Sequence, residues 1–145
     1  MSREILFRAK AINRDPDREY RTNYKNGDWV YGLVTTMYDD RFPNLPAEMK
    51  NSDGVSGIDV DHRTIGEYTG LTDKNGTKIF EGDIVKREWA FLSNGSYRHY
   101  EDFIVEFKDS AYRIVPIKKR KNIWAVNLKS EYEYEVVGNI YDTNI

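Results

Sequence analysis

Three Asn-Gly pairs, Asn26-Gly27, Asn75-Gly76 and Asn94-Gly95, recur along this 145-residue chain, each flanked by residues that suit strands. Asn and Gly tolerate positive φ, which tight primed turns require, so such a pair between two strand-like runs is the strongest short-range hairpin signal a sequence carries. Three of them predict antiparallel β structure.

The flanking runs have period two, the spacing of a strand. Ile5, Phe7, Ala9 and Ala11 alternate with mostly polar neighbours, and Trp29, Tyr31 and Leu33 fall on one face of a second run. Ile84-Val85 opens a run reaching Trp89, Phe103, Val105 and Phe107 share a face, and Tyr112 to Ile117 follows a turn at Lys108 to Ser110. In "EYEYEVV", Glu131, Glu133 and Glu135 alternate with Tyr132, Tyr134 and Val136, which predicts one wet and one buried face. "IWAVNLKSE" from Ile123 fits helix or strand and is read as strand. Residues 39–57, with two prolines and two glycines, read as a long loop with one helical turn near Pro46 to Met49.

The fold expected is therefore mainly β, made of antiparallel hairpins with little helix. Its length fits one compact unit or two small subdomains: a β-rich part over 1–77 and a second part over 78–145.

Composition narrows the chemistry. There are no cysteines, which excludes a disulfide scaffold, a thiolate metal site and a cysteine nucleophile. Charges interrupt "MSREILFRAKAINRD" where a signal peptide needs an apolar run, and no stretch approaches membrane-spanning length. A soluble protein of the cytoplasm, away from membranes, is expected. The net charge of -2 supplies no global field toward nucleic acid, so any such contact has to be local.

"TIGEYTGLTDKNGTKIFEGDIV", Thr64 to Val85, is the most patterned stretch. It contains neither G-x-G-x-x-G nor G-x-x-x-x-G-K-[ST], so its glycines are read as bends: Gly66 and Gly70 in a short strand, a hairpin at Asp73 to Gly76, and a second bend at Gly82-Asp83. No G-x-S-x-G elbow, H-E-x-x-H or zinc spacing occurs, and no catalytic residue or cofactor is assigned.

Two groups carry the remaining chemistry. Asp59, Asp61 and His62 in "IDVDHR" come nearest to a metal or acid-base set, since Asp59 and Asp61 would share one face of a strand; the plainer reading is a solvated edge. Lys118, Lys119, Arg120 and Lys121 form the one concentrated positive run, with Trp124 close behind. It suits a phosphate contact with Trp124, Tyr97 or Trp89 stacking bases, or else a solubilising turn.

"FRAKAI", "WVYG" at Trp29 to Gly32, the Thr64 to Val85 block and "VVGNIYD" at Val136 to Asp142 together resemble the YopX protein family of phages and prophages. The four blocks stand in the family's order and span nearly the whole chain. The resemblance implies a β-rich fold with a small barrel-like carboxyl-terminal part and a phage or prophage origin; it implies no particular reaction. The expectation is a non-enzymatic accessory module in the bacterial host, binding nucleic acid or a phage or host protein. The alternatives are a metal-dependent enzyme using Asp59, Asp61 and His62, or a self-assembling structural protein, because free sheet edges invite homo-oligomers.

Overall fold

The computed structural model describes residues 4–13, 24–38, 41, 45–89 and 99–142. The chain is mainly β and divides into two units, Met1–Tyr68 and Thr69–Ile145. Among the described residues the single helical segment is a 3-10 turn, His62–Thr64, and no helix is long and apolar enough to cross a membrane.

In the first unit β1 (Phe7–Lys10) lies between β2 (Trp29–Thr36) and the start of β5 (Gly66–Thr72). Beyond β2 come β3 (Ala47–Asn51) and β4 (Ile58–Val60), so the order is β4-β3-β2-β1-β5. An antiparallel bridge between Ala11 and Val60, flanked by Ile12 N–H to Asp59 O at 2.8 Å and Asp61 N–H to Lys10 O at 2.9 Å, ties β4 back to the end of β1. The space enclosed is small and is filled by Ala9, Ala11, Val30, Ala47, Met49, Ile58 and Val60. Gly32 shows how tightly the backbone runs here: a Cβ at this position would stand 2.0 Å from the Lys50 carbonyl oxygen.

Two expectations fail in this unit. Residues 39–57 are not one long loop with a helical turn, because they contain β3, where Ala47 and Met49 are buried and Lys50 is exposed. Ala, Glu, Met and Lys favour helix locally, yet pairing with β2 on one side and β4 on the other overrides that preference. Trp29, Tyr31 and Leu33 share a face as expected; it is the outer one, with Tyr31 and Leu33 exposed and Val30 and Gly32 buried on the other. On the inner face of β2 the close approach of β3 leaves no room for a side chain at Gly32. Ile5 is exposed as well. Finally, Asn26-Gly27 is not a two-residue hairpin turn. Gly27 alone has positive φ, +90°, and the turn, closed by Asp28 N–H to Lys25 O at 3.0 Å, leads into β2 from a long connection.

In the second unit the end of β5 pairs with β6 (Lys78–Phe80). Strands β7 (Asp83–Glu88), β8 (Tyr100–Lys108), β9 (Ala111–Pro116), β10 (Val126–Asn127) and β11 (Glu135–Asn139) form a sheet ordered β10-β9-β8-β7-β11. Ile79, Val85, Phe103, Val105, Ile114, Ile123 and Tyr134 make its core. Phe103 and Val105 point inward as their period requires, whereas Phe107, at the strand end, is exposed and meets Tyr112 edge-on at 5.0 Å. The "EYEYEVV" alternation holds for buried Tyr134 and exposed Glu133 but not for Tyr132, which is exposed, because the strand begins only at Glu135. Of "IWAVNLKSE" only Val126–Asn127 is strand.

The two tight hairpins of this unit invert the expectation about turns. Asn75-Gly76 belongs to a three-residue loop: Asp73 N–H bonds Thr77 O, Gly76 N–H bonds Asp73 O, and only Gly76 has positive φ, +83°. That is a type I turn followed by a left-handed glycine, not a primed turn. The primed turn is at Asp109-Ser110 between β8 and β9, where neither residue is glycine and φ is 53° and 65°. Asn94-Gly95 lies outside the described residues.

Candidate nucleic-acid interface

The expected sites separate in space and in chemistry. Asp59 is in β4, but Asp61 lies past the strand end, where it caps the 3-10 turn. The two therefore do not share a strand face. The Asp61 carboxylate accepts from Arg63 Nε at 3.1 Å, Nη2 at 3.0 Å and the Arg63 backbone N–H at 3.0 Å, and the Arg63 side-chain bonds above all hold its pKa below the ordinary value. His62 is exposed. Among the described residues no three His, Asp or Glu side chains gather as a ligand set.

The cationic segment Lys118 to Lys121 is exposed after β9, and Arg120 is engaged: its Nη1 lies 2.9 Å from the carboxylate of Glu101, which is 6% exposed. His99 Nε2 meets the same Glu101 oxygen. A buried carboxylate requires a charged or hydrogen-bonded partner, so Arg120 anchors the segment as well as charging it. Tyr97 lies outside the described residues.

Trp124 and Trp89 do come together. Their rings meet edge-on at 5.2 Å, Trp89 packs against core Phe103 at 5.8 Å, and its indole N–H donates to the Asn122 carbonyl at 2.9 Å. The core and that hydrogen bond fix Trp89, which in turn supports Trp124, left 59% exposed. The Arg87 guanidinium lies 5.2 Å from the Trp89 ring centre and 3.9 Å from that of Tyr132. The result is a ladder running Tyr132, Arg87, Trp89, Trp124.

This ladder lines an open groove of about 640 Å³. Lys108, Arg113 and Lys129 also line it, with Asp109 the only acid among the described residues that do; Val126 and Asn127 belong to β10 and Ala111 to β9. Four cations against one carboxylate stand out in a chain whose net charge is -2. None of the four is ion-paired with a described residue, and Arg87 Nε is buried without an acceptor among them. Rings hold the Arg87 guanidinium.

Of the residues expected to bind a partner, Trp124 and Trp89 line the groove, and Lys118 to Lys121 do not. Arg87, Lys108, Arg113, Lys129 and Tyr132 escaped sequence reasoning because they come from separate segments and form no run. The faint signal was "KREW", where Arg87 and Trp89 stand two apart and thus on one side of an extended chain.

A protein-family model described as YopX protein matches residues 18–144 of the chain. No curated protein matches it.

Proposed function

The chain belongs to the YopX protein family, and on that premise we propose that it is a non-enzymatic binding module that takes nucleic acid in the groove of its second unit. The observation that carries this reading is the set of four cations, none ion-paired with a described residue, around exposed aromatic rings. Cations attract phosphates and release their counterions, while exposed rings supply a surface on which bases stack. Lys118, Lys119 and Lys121 extend the same positive charge, because Asn122, which holds Trp89, directly follows them. The family resemblance supports work as an accessory protein of a phage or prophage in the cytoplasm of the host cell.

The test is a salt titration of binding to single-stranded DNA, duplex DNA and RNA. Replacing Lys108, Arg113 and Lys129 by Gln is expected to weaken binding and flatten the plot of log K against log salt by about two to three units, since each phosphate contact contributes a slope of about 0.7 to 0.9. Replacing Lys118, Lys119 and Lys121 is expected to act in the same direction and less strongly. Absence of binding to all three polymers at low salt removes the nucleic-acid reading, and salt-sensitive capture of an acidic protein would replace it.

A further inference from the structure

The groove holds more than charge. A duplex-binding surface needs cations and groups that reach base edges, and it has no use for exposed flat rings, because the base faces of a duplex are hidden in its own stack. Here Trp124 is 59% exposed and Tyr132 is 46% exposed, and both sit at the ends of a ladder whose interior members are fixed. Arg87 is gripped between Tyr132 and Trp89, and Trp89 is held by Phe103 and the Asn122 carbonyl. The outer rings are thus positioned before any ligand arrives, which lowers the ordering entropy that binding has to overcome. The strained Asp109-Ser110 turn lies on the rim, since Lys108 and Asp109 both line the groove.

From this arrangement we propose that the groove selects single-stranded nucleic acid, stacking unpaired bases on Trp124 and Tyr132 while Lys108, Arg113 and Lys129 take the backbone phosphates. Arg87 is a positioning residue: it sets the Tyr132 ring and adds a positive charge beneath the stacked bases. The two aromatic ends read any base, because every base has a π face, so the selectivity is for strandedness and not for sequence. This inference rests on the nucleic-acid reading above, and it fails separately from it.

The experiment measures fluorescence anisotropy of a labelled 12-nucleotide single strand of mixed sequence, as DNA and as RNA, and of the same sequence annealed to its complement. The unaltered protein is expected to bind the single strand at least tenfold more tightly than the duplex. Trp124→Ala and Tyr132→Ala should each weaken single-strand binding by about 5- to 150-fold. They should leave duplex binding and the salt slope unchanged, because no charge is lost. Trp124→Phe should retain most of the affinity. Both positions are exposed, and unchanged melting temperatures will show that the variants fold. Arg87→Lys keeps the charge without the planar guanidinium; loss of single-strand affinity at an unchanged salt slope is the signature of positioning. Equal affinity for single strand and duplex, or wild-type single-strand binding by the Trp124→Ala/Tyr132→Ala double variant, overturns the inference while leaving the nucleic-acid reading in place. Failure to bind any of these polymers overturns both.

Discussion

The two tight hairpins of the second unit solve the same geometrical problem in opposite ways. In the β5–β6 hairpin a glycine takes the left-handed position, and the Asp73 carboxylate accepts from Asn75 N–H at 2.8 Å, Thr77 N–H at 2.9 Å and, across to β11, Val136 N–H at 2.9 Å. Lys74 N–H adds a bond to the Tyr134 carbonyl at 2.9 Å. This turn is unstrained and is fastened to the core. In the β8–β9 hairpin two residues that carry side chains occupy the left-handed region, and no glycine relieves them. That turn sits on the rim of the groove. The difference teaches that the first turn serves stability, whereas the second tolerates strain where a ligand would pass, as functional sites commonly do.

The largest expected effect tests the core to which the first hairpin is fastened. Tyr134 is 2% exposed and its hydroxyl oxygen accepts from Lys129 N–H, so Tyr134→Ala should destabilise by about 4 kcal/mol. Exposed Glu133→Ala should change stability by about 0.5 kcal/mol or less. Denaturant midpoints decide this, and the reverse ranking would put the chain one residue out of register.

Next comes Asp73→Ala, which removes an anionic acceptor from three backbone donors and should lose about 3 kcal/mol. Burial by itself would raise the Asp73 pKa, but the Val136, Thr77 and Asn75 N–H bonds outweigh it and hold the group below its ordinary value. A depressed carboxylate contributes stability that is complete above the unfolded pKa and is lost as pH falls through the lower folded value. Thermal stability should therefore drop below about pH 4, and less so in Asp73→Asn. An equal acid response in both proteins would break the assignment of Asp73 as the fastening point.

Gly76→Val should lose about 2 kcal/mol from backbone strain alone, because nothing lies within 4 Å of a Cβ at that position. Asn75→Asp, by contrast, should be tolerated, since Asn75 is outside the left-handed region. If Gly76→Val keeps the parent midpoint, the first hairpin does not depend on its glycine.

The effect at the second hairpin is smaller and has the opposite sign. Ser110→Gly should stabilise by about 1 kcal/mol by relieving a φ of 65°. A stabilised variant with weaker single-strand binding would tie the strain to function; a stabilised variant with unchanged binding would make the two hairpins differ in stability alone.

The sequence by itself determined the fold class, the strands around Val85, Phe103 and Ile114, the bends at Gly76 and Gly82, and the kinship carried by its four blocks. These follow from local causes: side chains alternate with period two along any strand, and glycine alone takes positive φ freely. Only the tertiary structure decided which face of β2 is inside, since that depends on how little room the closely spaced strands around Gly32 leave. It also decided that Ala47–Asn51 is a strand, through its pairing on both edges. Likewise the primed turn fell at Asp109-Ser110 because the pairing of Lys108 with Ala111 leaves two residues to reverse the chain. The groove was beyond local reading for the same reason: charges from strands β7, β8 and β9 and from the segment after β10 attract a ligand together only where the fold sets them along one opening, and sequence distance carries no record of that.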